Sequence, residues 1–392
     1  LLVVAGCLPL RYQEKLSDPL PEVDLFLAPG DIQRLPNMIT ALMNRPREIG
    51  RSKSASTNEA QSADAVRTAA GPGNPDQTGC SLPEVVRLPR ILTTSGYAYL
   101  KISEGCQRKC RYCTIPSIRG PLASTDPDEL EGEARFLASL GVRELVLVAQ
   151  DLTAYGNDRS EKAALTKLLD RIQHVPDIKW IRLMYLHPDG IKQDLIKMVR
   201  DSPVILPYLD IPFQHISDTV LRAMGRPWKG DRIRKLVERL RSEIPGLVLR
   251  TTFMVGYPAE TDEHFRELLD FVTSAEIERV GVFTYSPEEG SRAFNLGDPV
   301  PEEEKQARAE AIRSVHSDFL AKRNRKRKGR VEHALIEGMS QESELLLQGR
   351  TWDQAPEVDG VLYITSGNAI AGEVQPVKIT GSHGTDLFGE VI

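Results

Sequence analysis

Cysteine is scarce in this chain: five residues in 392, three of them between positions 106 and 113. So sparse and uneven a set excludes a disulfide scaffold and fits a reducing compartment, with the cytoplasm as the expected location. Long apolar runs are also missing. None approaches the roughly 18–20 residues that a helix needs to cross a bilayer. The opening Leu1-Leu-Val-Val-Ala-Gly-Cys7 is too short for a span and lacks the basic flank of a signal peptide. It reads as a buried strand running into a loop. Position 1 is Leu rather than Met and falls in mid-strand, so an N-terminally incomplete protein is expected. At 41% hydrophobic and 27% charged residues, the composition is that of a soluble globular protein of two or three domains.

The cysteine cluster itself lacks a fourth member. In Glu104-Gly-Cys106-Gln-Arg-Lys-Cys110-Arg-Tyr-Cys113-Thr-Ile-Pro116 the spacing is C-x3-C-x2-C, with no further cysteine and no histidine close behind. An odd, tight set cannot pair off as disulfides. A structural zinc site wants four closed ligands, whereas three thiolates can hold three irons of a 4Fe–4S cluster and leave the fourth open to a substrate or cofactor. The cluster is the expected reading, and zinc is its alternative.

Between Ile49 and Leu82 the only large apolar residue is Val66. Such a stretch cannot bury enough surface to offset its ordering entropy, and residues 49–88 are expected to be a flexible linker. Before it, residues 1–48 suggest part of a small α/β domain: a strand at Leu1–Ala5, a Pro-rich turn, a short helix near Gln13–Leu16, a strand at Val23–Leu27 and a helix at Asp31–Met43. From 89 to 328 strands and helices alternate. Strands are expected at 97–103, 144–149, 180–185, 208–212, 247–255 and 279–285. Helices are expected at 126–140, 161–174, 190–200, 217–224 with 230–242, 261–275 and 301–328. Six βα units imply an α/β fold with a parallel sheet, too few for a closed eight-fold barrel and so a partial (β/α)6 barrel. The cysteines follow the first strand at its C-terminal end, where barrels place their chemistry. Residues 329–392 show five short strands between Gly, Asp and Ser turns, a small OB-like β-barrel.

The other strands also end in polar residues. These are Gln150 and Asp151 after the second, Gln214 and His215 after the fourth, Gly256 after Val255 on the fifth and Tyr285 on the sixth. Singly, each is an ordinary loop, cap or turn residue. Together with Tyr112 inside the triad and Arg250 on the fifth strand, they form a candidate cofactor or substrate set around Cys106, Cys110 and Cys113.

The triad resembles that of the radical S-adenosylmethionine superfamily. The segments Ser95–Cys106, Ala149–Gly156, Tyr208–Asp218, Arg222–Arg226 and Gly281–Gly290 are closely similar to the methylthiotransferases, and within them to those that modify an aspartate of ribosomal protein S-12. Residues from Gly349 onward are similar to a TRAM domain. The resemblance implies that Cys106, Cys110 and Cys113 hold a 4Fe–4S cluster and that Tyr112, Gln150, Gln214, Arg250, Val255, Gly256 and Tyr285 contribute to the S-adenosylmethionine site. It also implies reductive cleavage of that cofactor, hydrogen abstraction from the β-carbon of the aspartate and transfer of a methylthio group. A reductase such as flavodoxin or ferredoxin would donate electrons. The family has a second, auxiliary 4Fe–4S cluster on three N-terminal cysteines. Only Cys7 matches, the other two positions falling before residue 1, so this chain is expected to hold one cluster and not to complete sulfur insertion. Cys80 matches no ligand position and reads as a free thiol.

Two other functions compete with this one. A tRNA methylthiotransferase, acting on the adenosine beside the anticodon, is opposed by Gln214-His215-Ile-Ser217, where such enzymes tend to carry Gln-Ser-Gly-Ser. It is also opposed by charge. Residues 331–392 carry ten acidic residues against Arg350 and Lys378, a net −8, which repels phosphate backbones and favours a basic partner. Nucleic acid is therefore not expected as a partner. In the other direction, residues 321–330 carry seven basic side chains and no acidic one, a run that a solvated helix end also explains. A non-enzymatic iron–sulfur or zinc adaptor has no need for the polar strand ends.

Overall fold

The computed structural model describes residues 1–12, 16, 19–20, 22–27, 34–43, 96–340, 342 and 346–392. The chain divides into two units, Leu1–Ile91 and Leu92–Ile392. The expected linker, with Cys80, lies outside the described residues.

In the first unit, β1 (Val3–Ala5) and β2 (Leu25–Leu27) pair in parallel, flanked by α1 (Cys7–Tyr12) and α2 (Leu35–Met43). Two expectations need correction. The strand expected to be buried is only half-buried at Val3 and Val4 and exposed at Ala5. The Pro-rich turn after it is helical, with Cys7 as its first residue. Pro9 falls in the first turn of that helix, where the missing N–H would have had no partner anyway. Of the helix expected at 13–16, residues 13–15 lie outside the described set.

The second unit is built on six strands: β3 (Tyr97–Lys101), β6 (Glu144–Val148), β7 (Trp180–Leu183), β8 (Ile205–Asp210), β9 (Val248–Val255) and β10 (Arg279–Thr284). They lie side by side in chain order and all neighbours are parallel, so the sheet is an open (β/α)6 partial barrel. The short strands β4 (Ser103–Glu104) and β5 (Ala123–Ser124) pair antiparallel on either side of α3 (Ile115–Arg119). The covering helices are α4 (Pro127–Ser139), α5 (Ala164–Ile172), α6 (Gln193–Asp201), α7 (Asp218–Ala223), α8 (Gly230–Glu243), α9 (Asp262–Ala275) and α10 (Glu302–Arg325). Helix α4 starts where it does because Asp126 Oδ1 accepts from Asp128 N at 2.8 Å, with Pro127 first in the helix. Helix α5 buries Leu165, Leu168, Leu169 and Ile172, one apolar stripe laid against the sheet. Each such leucine contributes about 1.5–3 kcal/mol.

The last five strands, β11 (Val331–Met339), β12 (Leu347–Thr351), β13 (Leu362–Ser366), β14 (Val374–His383) and β15 (Asp386–Val391), close into a barrel in the order β11-β12-β13-β15-β14. Its core is Ala334, Ile336, Leu362, Ile364, Val377, Ile379 and Leu387.

This small barrel packs against the inner face of the sheet, at the starts of the strands. Tyr97, Val146, Trp180, Tyr208 and Val248 form one apolar cluster with Leu335 and Ala355. Around it runs a buried ionic network. Glu144 receives Arg182 Nε at 2.7 Å and Arg350 Nη2 at 2.8 Å, and all three side chains are almost wholly buried. Asp353 is shared by Arg279 at 3.3 Å, Arg323 at 2.8 Å and Arg327 at 2.9 Å. Asp359 takes the hydroxyl of Tyr208 and lies 3.7 Å from Arg250.

These contacts revise the charge argument. Glu332, Glu337, Asp353, Asp359 and Glu373 of the C-terminal module each pair with an arginine, and most of those arginines lie outside the module. Much of the net −8 therefore faces inward. Of the basic run, Arg323 and Arg327 turn into the network, while Lys322, Arg325, Lys326, Lys328 and Arg330 are exposed.

Candidate cluster and cofactor site

The cysteine loop leaves the sheet through Gly105, at a left-handed φ of 74°. A Cβ there would stand 2.0 Å from the Pro121 carbonyl oxygen, so only glycine allows this exit. Backbone bonds then pin the loop. Cys106 N donates to Gly120 O at 3.2 Å, Arg111 N to Met224 O at 2.9 Å, and Ala293 N to Arg111 O at 2.8 Å. Cys106, Cys110 and Cys113 all line one cavity of about 200 Å³ at the C-terminal end of the sheet, opposite the small barrel. Tyr112, Gln150, Tyr185, His187, Gln214 and Arg226 line it with them. A second cavity beside it, about 810 Å³, is larger but contains no cysteine.

Two of these residues are held in strained backbone. Gln214 has φ 72° and Tyr185 φ 58°, a cost that surrounding contacts must offset and that concentrates at functional sites. For Gln214 those contacts are its N–H to Thr252 O and Met254 N to its own carbonyl, each at 2.8 Å. They aim the side chain at the cavity. The amide oxygens of Gln214 and Gln150 are buried without a hydrogen-bond partner. Buried acceptors normally find donors, so a ligand bearing ammonium or amine groups fits this lining.

The cysteines fit a cluster better than a single ion. Among the described residues no group of three His, Cys, Asp or Glu side chains converges on one metal ion. A cubane does not require such convergence, because each thiolate binds a separate corner iron. Burial pushes the Cys106 and Cys113 thiols up from their usual range. Loading of metal must therefore displace protons.

His187 completes the wall. Burial, then the charges of Arg226 and Arg108, push its pKa down to about 2. Its Nδ1 accepts the Asp189 N–H at 3.2 Å, so the ring is a neutral acceptor, and the nearby Asp189 carboxylate at 3.5 Å makes no true ion pair with it. The consequence for stability has a definite sign. Below the ordinary histidine value of 6.5 the unfolded chain takes up a proton that the folded chain refuses, so stability falls with pH from 6.5 toward about 2. His187→Gln is expected to flatten the loss of Tm between about pH 7 and about pH 5. An unchanged slope would refute this.

Other expected residues sit elsewhere. Arg250 is bound to Asp210 at 3.0 Å and approaches Asp359 at 3.7 Å, toward the small barrel and not among the cavity-lining residues. Val255 ends β9, and the N–H of Gly256 is taken by Glu260. Tyr285 is buried, with its hydroxyl on Ala293 O at 3.2 Å and its ring edge-on to Tyr257. None of these three is among the residues lining the cavity of the cysteines. Arg226 and His187 line it without having been singled out. Arg226 belongs to a segment that carried the family resemblance, but it follows a short helix rather than a strand, and only the Gly225 before it marked a turn.

The Radical SAM superfamily model matches residues 100–272, and the TRAM domain model matches residues 329–392. Ribosomal protein uS12 methylthiotransferase RimO from Trichlorobacter lovleyi is 44% identical over 394 residues, covering 100% of this chain and 82% of the relative. The protein of the same name from Geobacter sulfurreducens is 42% identical over 393 residues, with 100% and 82% covered. That from Aquifex aeolicus is 38% identical over 390 residues, with 99% and 81% covered.

Proposed function

The chain belongs to the RimO family of radical S-adenosylmethionine methylthiotransferases, and from that membership we propose that it adds a methylthio group to the β-carbon of an aspartate in ribosomal protein uS12. The observation that carries the reading is the single cavity holding all three cysteines together with the unpaired oxygens of Gln150 and Gln214. Cys106, Cys110 and Cys113 would hold a 4Fe–4S cluster, and Tyr112, Gln150 and Gln214 would position S-adenosylmethionine beside it. Bound there, these cofactors would supply a radical able to take hydrogen from an unactivated carbon, which no side chain of the protein can do.

The chain's own part is binding and exclusion of water. The strained Gln214 and Tyr185 hold their side chains before any ligand arrives, so little ordering remains to be done on binding. Neutral His187 adds a polar contact without a charge. Tyr285 supports Tyr112 from behind, in one apolar cluster with Tyr257. Residues 89–328 form the catalytic barrel in this reading and 329–392 the TRAM domain, with 1–48 as part of an auxiliary-cluster domain to which Cys7 contributes a ligand. A flavodoxin or ferredoxin in the cytoplasm would deliver the electron.

The test is reductive cleavage of S-adenosylmethionine, followed as methionine and 5′-deoxyadenosine. Ribosomal protein uS12 should stimulate it and tRNA should not. Stimulation by tRNA alone would transfer the proposal to the tRNA-modifying enzymes, and no cleavage at all would end it.

A further inference from the structure

Among the described residues every buried cation but one lies against a carboxylate. Among the described residues six arginines and one lysine are buried. Arg182, Arg279, Lys305, Arg308, Arg327 and Arg350 each lie within 3.3 Å of a carboxylate oxygen. Arg226, only 9% exposed, has no carboxylate within ion-pair distance among the described residues. Its Nη1 donates to the carbonyls of Pro212 at 2.7 Å and Phe213 at 3.3 Å, and its Nε is buried without a partner. Two neutral carbonyls do not cancel a charge, and burying an uncompensated cation is costly.

The backbone aims that charge at the cysteines. Gly225, at φ 74°, would bring a Cβ to 3.0 Å from Lys109 O, so the turn before Arg226 is in contact with the cysteine loop. The Arg226 guanidinium lies beside the Cys110 thiol and the Tyr112 hydroxyl, inside the cavity. Arg108 also reaches this cavity, but Asp151 at 2.7 Å and Asp189 at 3.1 Å cancel it.

We propose that Arg226 is the counter-charge of the cluster held by Cys106, Cys110 and Cys113 and sets its redox poise. The proposal rests on the cluster reading given above. Reduction adds one electron from a low-potential one-electron donor, with no bond made or broken and no proton moved. A cation fixed in a low-dielectric wall favours the more negative, reduced state. Arg226 thereby makes the cluster easier to reduce, which cleavage of S-adenosylmethionine demands.

The experiment is a redox titration of the reconstituted chain, with dithionite and mediators, followed by the electron paramagnetic resonance of the reduced cluster without S-adenosylmethionine. Iron content and signal of the unsubstituted chain test the cluster reading by themselves. Given a normal cluster there, Arg226→Gln and Arg226→Met should lower the ratio of reduced to oxidised cluster at least tenfold at fixed potential, about 59 mV for one electron. Arg226→Lys should recover most of that ratio. An unchanged potential in either neutral variant that carries iron overturns the proposal, as does a Lys variant that falls as far as Gln. A shift that appears only with S-adenosylmethionine present also overturns it, because Arg226 would then be serving the cofactor. If both neutral variants lose iron while Lys keeps it, the charge is supported. If all three lose it, Arg226 is only a scaffold.

Discussion

Cys110→Ala is expected to abolish cluster assembly: after anaerobic reconstitution the variant should lack bound iron–sulfur absorption and cleave S-adenosylmethionine at background rate. The three cysteines line a single cavity, and a cubane held by two protein thiolates has two corners open to solvent and exchange. The substitution also removes the thiol that lies beside the Arg226 guanidinium. Cys80→Ala is the control, and it should retain iron. The fold should survive Cys110→Ala, because the loop is fastened by backbone bonds at Cys106, Arg111 and Ala293 that do not use the Cys110 side chain. Full iron loading in Cys110→Ala would contradict the site as drawn. Bound zinc at one equivalent in the unsubstituted chain, without iron–sulfur absorption, would contradict it more deeply.

Asp353→Ala should cost about 3–5 kcal/mol, because it strips the shared anion from Arg279, Arg323 and Arg327. In a unit of this size that corresponds to a fall in Tm of roughly 10 °C. The same group gives a pH dependence. Burial alone would raise the Asp353 carboxyl, but Arg327, Arg279 and Arg323 outweigh it and hold it well below the usual carboxylate range. A carboxyl depressed in the folded state stabilises above its unfolded value and loses that contribution as pH falls below about 4. Glu144, between Arg182 and Arg350, acts in the same direction. Asp353→Ala should therefore be less stable at neutral pH and show a shallower further loss in acid. A Tm within a degree or two of the unsubstituted chain would show that the network contributes little.

The barrel and the triad were legible in the residues for different reasons. Strand and helix alternate with a clear change of period from Tyr97 to Thr284, and all six expected strands form. The triad could be read from its spacing alone, since a short loop keeps its cysteines together whatever surrounds it. Arg250 shows where such reading fails. Its place on a strand was visible, but the carboxylates that hold it were not, and Asp359 lies in the loop between β12 and β13, 109 positions further along the chain. The Glu144–Arg350 pair, 206 positions apart, is hidden in the same way. Arg226 is hidden for a different reason: it follows the turn after a short helix, not the end of a strand. The half-exposed first strand and the helix at Cys7 show that an apolar run and a proline do not by themselves decide burial or a turn.

The seal between the small barrel and the sheet bears on how substrate recognition can be studied. Cut away from residues 92–329, the last 63 positions would no longer have Arg279, Arg323, Arg327, Arg250 and Arg143 against Asp353, Asp359 and Glu373. The freed piece would display an acidic surface, Asp353 and Asp359 above all, that the whole chain keeps buried. It would attract basic proteins through its wound rather than through its working face, and affinity measured on it would describe the cut.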